Sequence, residues 1–160
     1  MAGLSTRVSA RLLNLSGRYP RISTPFTKAH ARLFEKTGGG FLGRWMGSPV
    51  LVIETIGRKS GELRKAPVIY MPHGKDMVVV AANGGNHRSP NWWLNLRDAG
   101  EADIVVGGER RHVTARVAEG AERDVLWKQF AKGYPGLNPY ETYTERELPV
   151  IVLEPVPDNG

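Results

Sequence analysis

The chain has 160 residues, of which 41% are apolar and 24% charged, and it contains no cysteine. This length and composition are those of one globular domain, and the lack of cysteine excludes disulfides, thiolate nucleophiles and Cys-ligated metal sites. The net charge of +6 is uneven: residues 1–48 contain eight Lys and Arg residues and one Glu, a net +7, whereas the other 112 residues contain 14 basic and 15 acidic side chains.

Residues 1–48 are predicted to form a basic helical arm. The apolar residues between Val8 and Leu15 fall on one side of a short helix, and Pro25 begins a second helix capped by Thr24. An arm of this charge attracts anionic lipid, nucleic acid or a phosphorylated ligand, or it packs over the body as a solvated face. The domain boundary is therefore placed between the arm and residues 49–157.

No apolar stretch is long enough to span a bilayer, and the sequence shows no signal-peptide pattern. The four histidines lack the spacing of metal ligands, so no metal site is expected. We therefore expect a cytoplasmic protein, which the basic arm could bring to the inner face of the cell membrane as a peripheral protein.

Six apolar segments predict six strands. The turn-rich residues 72–76 and the pair Gly107–Gly108 each join two segments as a hairpin. Closure of six such strands into a small barrel would remove their exposed edges. The predicted strands are residues 50–55, 66–71, 77–82, 102–106, 111–118 and 148–153.

Two helices are predicted between these strands. Ser89 would cap a helix that has Pro90 in its first turn and ends at Gly100. Leu126 and Phe130 lie at helical spacing in the second. The predicted fold is mainly β with flanking helices, and no strand–helix unit carries the glycine pattern of a Rossmann fold.

A basic loop joins the first two predicted strands. It has the sequence Gly57-Arg58-Lys59-Ser60-Gly61, and Arg64 follows. Backbone N–H groups, a hydroxyl and cationic side chains are what a phosphate dianion needs. The glycine spacing is not that of a Walker A loop, and a solvated basic hairpin would have the same local sequence.

Two later segments could complete a site. The first runs from a strand through Asn83-Gly84-Gly85 into a helix start, where free N–H groups favour an anion or a polarised carbonyl. Glycine lets a flat ring approach the backbone closely, and Trp92 could form a wall for such a ring or serve the core. The second segment, Tyr134–Tyr143, is dense in Tyr, Pro and Gly. It indicates either an ordered lid whose phenols donate hydrogen bonds or a surface loop with packed aromatics.

Four ordered motifs resemble the deazaflavin-dependent nitroreductase family, which belongs to the split β-barrel flavin- and deazaflavin-binding proteins of actinobacteria. The similarity extends from about Val50 to Pro155. The motifs are T-x-G-R-K-S-G-x-x-R from Thr55, P-V-x-Y-x-P-x-G from Pro67, A-x-N-G-G-x-x-x-x-P-x-W-x-x-N-L from Ala81, and R-E-L-P-V-I-V-L-E-P from Arg146. The resemblance implies a six-stranded antiparallel split β-barrel and an oxidoreductase that uses coenzyme F420.

The resemblance also implies roles for individual residues. Positions in the basic loop would hold the phosphate and acidic tail of the cofactor, namely Arg58, Lys59, Ser60 and Arg64. Others would line the channel or flank the deazaflavin ring, namely Pro67, Val68, Tyr70, Pro90, Asn91, Trp92 and Asn95. Ala82 and Asn83 stand where some relatives carry serine and lysine, so contacts to ring and substrate are expected to differ there. Tyr134 and Tyr140 would border the substrate as hydrogen-bond or proton donors, while Leu137 replaces a tyrosine found in some relatives.

The expected reaction is hydride transfer from reduced coenzyme F420 to an apolar, electron-poor acceptor such as a quinone, an enone or a nitro compound. One alternative is an FMN- or haem-binding split barrel, and another is a non-catalytic module that binds a membrane surface through the arm. Nucleic acid is not an expected partner, because the aromatic residues are not interleaved with basic ones. The sequence leaves open whether the protein is a monomer or a homodimer.

Overall fold

A computed structural model describes residues 44–45 and 47–157. The predicted helical arm lies almost wholly outside these residues, and the boundary after residue 48 stays a prediction. Seven strands are described: β1 (Arg44–Trp45), β2 (Ser48–Ile56), β3 (Leu63–His73), β4 (Asp76–Val80), β5 (Glu101–Val106), β6 (Glu109–Val117) and β7 (Val150–Pro155). The α-helices are α1 (Asn91–Ala99), α2 (Gly120–Gly133) and α3 (Asn138–Glu141), and 3-10 turns cover Asn83–Gly85 and Pro135–Leu137.

The strands form a closed antiparallel barrel. The order is β2-β3-β4-β7-β6-β5, and pairing of β2 with β5 closes the ring. β1 pairs with the start of β2, through Arg44 opposite Pro49. The predicted six-stranded antiparallel barrel with flanking helices is confirmed.

Both faces of β2 are buried, which explains why its sequence is an apolar run rather than an alternation. Leu51 and Ile53 point into the barrel with the side chains of β4, β5 and β7. Val50 and Val52 lie on the outer face and are also buried, beside Ile69 of β3. The barrel interior and this outer face therefore depend on consecutive residues of one strand.

Two helices cover the barrel in different ways. α1 contributes Trp93 and Leu96 to the interior cluster. α2 contributes Leu126 and Phe130 to a second cluster, on the outer face of β4 and β7. The segment that follows α2 packs into the same outer cluster.

The start of α1 and the end of β4 differ from the predictions. Pro90, rather than Ser89, is the N-cap residue of α1, with an extended backbone (φ −65°, ψ 144°) and no side-chain cap. Proline at φ near −65° can occupy this extended position as well as the first helical one, so the helix begins one residue later. Gly100 ends α1 as predicted, with φ 77°. β4 ends at Val80 rather than Ala82, because the chain turns there and the Ala82 N–H bonds to the Val80 carbonyl at 2.9 Å.

The antiparallel order brings the connections of interest to one end of the barrel. The β2–β3 loop, the β4–α1 connection and the segment between α2 and β7 all lie at this end, by the register of the strands. The β3–β4 and β5–β6 hairpins lie at the other end. None of the helices within the described residues is long and apolar enough to cross a membrane.

Candidate functional site

The basic hairpin, Gly57–Arg64, joins β2 to β3 and has a closed backbone. The Gly57 N–H donates to the Glu62 carbonyl at 2.8 Å, and the Gly61 N–H donates to the Gly57 carbonyl at 2.8 Å. Gly61 has φ +70°, and a Cβ at Gly57 would lie 2.5 Å from Ser60 Oγ. Gly61 is therefore needed for this loop shape, whereas a Cβ at Gly57 would require the Ser60 hydroxyl to move.

The cationic side chains of the basic hairpin are exposed at its tip. Arg58, Lys59 and Arg64 are all exposed. Arg64 Nη2 bonds to Glu62 Oε2 at 2.8 Å and to Ser60 Oγ at 3.3 Å. Because exposed ion pairs contribute little stability, Arg64 can exchange Glu62 for an anionic ligand at small cost.

Asn95 of α1 fixes the position of the basic hairpin. Its Oδ1 accepts hydrogen bonds from the Arg58 backbone N–H at 3.1 Å and from Arg58 Nη1 at 3.0 Å. Its Nδ2 donates to Thr55 Oγ1 at 3.2 Å. Asn95 and Thr55 are each 4% exposed, so this amide ties a buried part of β2, the loop and α1 together.

The glycine turn, Ala81–Asn86, connects β4 to α1 through three successive residues in the left-handed region. Asn83, Gly84 and Gly85 have φ of 48°, 63° and 75°. Asn83 Nδ2 donates to the Arg88 carbonyl at 2.8 Å, which supports the one residue that has a Cβ. A Cβ on Gly85 would lie 2.8 Å from the Tyr140 carbonyl oxygen, so the turn packs directly against the backbone of α3.

The lid, Tyr134–Glu147, covers the glycine turn and contains a pair of hydrogen-bonded tyrosines. The hydroxyls of Tyr134 and Tyr140 are 2.8 Å apart. Tyr134 is 7% exposed and Tyr140 2%, and Leu137 is buried with them. Burial raises the pKa of both phenols above the usual value near 10, so both are protonated at neutral pH.

Arg146 joins the lid to the glycine turn, a role that the sequence reasoning missed. It is partly buried and donates to the carbonyls of Asn86 at 2.9 Å, Ala82 at 2.8 Å and Ala81 at 3.1 Å. Arg146 is the first residue of the R-E-L-P motif. No local pattern in the sequence indicates that its guanidinium bonds to carbonyls about 60 residues earlier in the chain. The contact is visible only in the folded chain.

The other predicted site residues divide between the two ends of the barrel. Pro90, Asn91 and Trp92 lie at the start of α1, next to the glycine turn. On β3, Pro67 and Val68 are partly buried. Tyr70 lines a cavity of about 390 Å³ between the β3–β4 and β5–β6 hairpins. The structure thus brings most of the predicted residues to one end and places Tyr70 away from the basic hairpin.

A family model described as F420H(2)-dependent quinone reductase matches residues 26–155. The chain belongs to the F420H(2)-dependent quinone reductase family. The expectations of an enzyme, of coenzyme F420 as its cofactor and of a quinone-type acceptor are therefore confirmed. The resemblance to F420-dependent reductases is confirmed at this level, whereas nitro reduction and the roles of single residues stay predictions.

Relatives and solved structures agree with this family. A protein of Mycobacterium tuberculosis (strain ATCC 25618 / H37Rv), provisionally named an F420H(2)-dependent quinone reductase, is 36% identical over 67% of this chain and 90% of its own length. A solved structure of an F420-H2-dependent reductase is 32% identical, with a TM-score of 0.61, over 66% of this chain and 94% of that one. A structure described as a domain-swapped dimer is 27% identical, with a TM-score of 0.63, over 82% of this chain and 98% of that one.

The donor set at this end of the barrel fits the cofactor of the family. A phosphate and an acidic tail require clustered cations and N–H donors, and the basic hairpin presents three cations and one carboxylate. The glycine turn lies beside the start of α1, but the space next to Gly85 is filled by the backbone of Tyr140. The N–H groups of Asn91 and Trp92 lie in the first turn of α1, where helical N–H groups have no partner in the helix.

Proposed function

We propose that this chain reduces a quinone, or a similar electron-poor acceptor, with reduced coenzyme F420 held by the basic hairpin and the glycine turn. The observation that carries the proposal is the Asn95 bridge, which fixes Arg58 and the backbone of the basic hairpin against α1. Pre-positioned cations bind an anion with less loss of conformational entropy.

Arg58, Lys59, Ser60 and Arg64 would bind the phosphate and acidic tail. Arg58 has one guanidinium nitrogen on Asn95, and the rest of the group remains available for a bidentate contact. Asn95 itself is proposed to act through Arg58, because both ends of its amide already have protein partners.

The ring would lie over the start of α1, beside the glycine turn. Ala82, Asn83 and Pro90 offer backbone there, and the free N–H groups of Asn91 and Trp92 can stabilise negative charge. On β3, Pro67 and Val68 are proposed wall residues. Tyr70 faces the cavity at the other end of the barrel, so a contact between Tyr70 and the cofactor would lie away from the basic hairpin.

When bound, reduced coenzyme F420 supplies the hydride. The chain has to orient the acceptor, exclude water and place a hydrogen-bond donor at the acceptor oxygen. The tyrosine pair can do the last of these, because two hydroxyls that share one hydrogen bond keep one further O–H to donate. The raised pKa of both phenols favours hydrogen-bond donation over formation of a phenolate.

The acceptor preference is proposed to follow from the apolar character of the lid. Leu137 is 1% exposed and packs with the tyrosines and Phe130. An acceptor bound against this cluster would be an apolar ring system such as a quinone or an enone. Nitro compounds are a further acceptor class to be tested beside them.

Assembly and location extend the proposal. The domain-swapped dimer among the similar structures supports a homodimer for this chain as well.

The proposed compartment is the cytoplasm. Peripheral contact of the arm with the inner face of the membrane would bring the protein to apolar quinones. Flotation of the full chain and of a chain without residues 1–40 on anionic liposomes tests this contact, and equal flotation of both would contradict it.

The main experiment measures binding of coenzyme F420 by quenching of its fluorescence and oxidation of its reduced form by menadione. Arg58→Ala with Lys59→Ala should weaken binding by at least about 100-fold, because two charge-assisted hydrogen bonds of about 1.5–3 kcal/mol each amount to about 3–6 kcal/mol. Lys75→Ala with Arg111→Ala removes the same charge at the opposite end of the barrel and should leave affinity unchanged.

Two results would contradict the proposal. Equal affinity of the two double variants would show that the basic hairpin does not hold the cofactor. A wild-type protein that does not quench F420 fluorescence but is purified with coloured, tightly bound FMN would refute the cofactor assignment.

A further inference from the structure

Arg146 is a cation whose partners are main-chain carbonyls. It bonds to three carbonyl oxygens of the glycine turn and, at 3.5 Å, to that of its neighbour Glu147. Within residues 47–157 no carboxylate forms an ion pair with it. Burial lowers its pKa, as expected for a charge moved away from water without an anionic partner.

The glycine turn is held from outside as well as by its own residues. Asn83 has φ 48°, which Asn adopts more readily than other residues with a Cβ, and its side chain bonds to the Arg88 carbonyl. The carbonyls of Ala81, Ala82 and Asn86 lie on either side of the three left-handed residues. The planar guanidinium has five N–H donors in a fixed arrangement, so one side chain can hold both ends of the turn.

We propose that Arg146 is a positioning residue, an inference that rests on the proposed function. Arg146 locks the glycine turn to the lid, so that the backbone beside the proposed ring site and the tyrosine pair stay in a fixed relative position. Its guanidinium is bonded to protein carbonyls, so the proposed role needs no contact with cofactor or acceptor. Its effect passes through the carbonyls of Ala81, Ala82 and Asn86, and the close contact between Gly85 and Tyr140 makes a second connection between the same two segments.

The chain supplies a matched control in Arg123. This arginine of α2 is also largely buried, with 19% of its side chain exposed. It donates to the Leu148 carbonyl at 3.1 Å, pairs with Glu147 at 2.9 Å and stacks on Trp127 at 5.2 Å. It therefore supports the same stretch of chain without a bond to the glycine turn.

The experiment compares Arg146→Lys, Arg146→Met and Arg123→Met in the full chain. Amide hydrogen exchange of the protein without cofactor is measured at residues 83–88, together with Tm, affinity for F420 and kcat and KM with menadione. Both Arg146 variants should show faster exchange across the glycine turn, roughly 10-fold weaker F420 binding and a kcat lowered by about 10- to 100-fold, since a displacement of about 1 Å can have that effect. Arg123→Met should lower Tm. It should leave hydrogen exchange at residues 83–88, affinity for F420 and kcat unchanged.

Lysine retains the charge but not the planar set of donors, so Arg146→Lys separates geometry from electrostatics. If Arg146→Lys behaves as wild type in exchange and kcat, the lock is refuted. If Arg146→Met and Arg123→Met lose affinity in proportion to their loss of Tm, the role is structural only and the proposal is overturned. The exchange measurement needs no cofactor. A wild-type protein that fails to bind F420 would therefore refute the proposed function, while the effect of the Arg146 variants on hydrogen exchange would still test the connection between the glycine turn and the lid.

Discussion

The Asn95 bridge allows a quantitative prediction for Asn95→Ala. The substitution removes three hydrogen bonds, two from Arg58 and one to Thr55, and leaves the buried Thr55 hydroxyl without its partner. Each hydrogen bond contributes about 1 kcal/mol, and a buried group left without a partner adds to the loss. The three bonds together therefore amount to roughly 3 kcal/mol in the free energy of unfolding. For a domain of this size that corresponds to a fall in Tm of about 6–12 °C.

The assay is thermal unfolding followed by circular dichroism, combined with F420 fluorescence quenching on the same samples below Tm. Because Arg58 loses its fixed position, affinity for F420 should also fall, by about 10-fold. Thr55→Val removes the opposite end of the bridge and leaves Arg58 in place, so it should lower Tm with a much smaller effect on affinity. A Tm for Asn95→Ala within about 1 °C of wild type, or equal affinity losses in both variants, would refute the reasoning.

Two further predictions concern the lid. Gly85→Ala should lower the free energy of unfolding by roughly 3 kcal/mol, because the alanine would be left-handed and would also overpack against the Tyr140 carbonyl. The control is Gly107→Ala, at φ +57° with open space around the added Cβ. Urea unfolding of this control should show a loss of only about 1 kcal/mol. The phenols of Tyr134 and Tyr140 stay protonated in the folded protein while those of the unfolded chain ionise near pH 10, so stability should fall as pH rises above about 10. Tyr140→Phe should flatten that slope in urea titrations between about pH 9 and 11, and an unchanged slope would contradict the burial argument.

The barrel was predictable because its signals are local. Apolar runs marked all six strands, and the Gly107–Gly108 pair and residues 72–76 marked the hairpins that the register shows. The ends of elements were less predictable. Ala82 is as apolar as a strand residue, but the left-handed residues that follow force the chain to turn after Val80. At α1, Pro90 suits two adjacent cap positions, and sequence alone does not choose between them.

The candidate site was predictable in its segments and not in its contacts. The basic hairpin, the glycine turn and the lid each have a composition compatible with a ligand site, and the barrel order brings them to one end of the barrel. Asn95 was expected to contact the cofactor, yet both ends of its amide bond to Arg58 and Thr55. The bonds of Arg146 join parts of the chain that are about 60 residues apart. Contacts of this kind depend on tertiary geometry, which no local pattern encodes.

The two halves of the candidate site belong to different packing units. The basic hairpin is tied to α1, whose Trp93 and Leu96 lie in the barrel interior, whereas the lid packs with α2 on the outer face of β4 and β7. The glycine turn lies between them, since Ala81 belongs to the interior cluster and Ala82 to the outer one. We therefore expect changes in the lid to alter acceptor preference with little effect on the proposed cofactor contacts of the basic hairpin. A change at Arg146 has to affect both, because its bonds cross from one unit to the other.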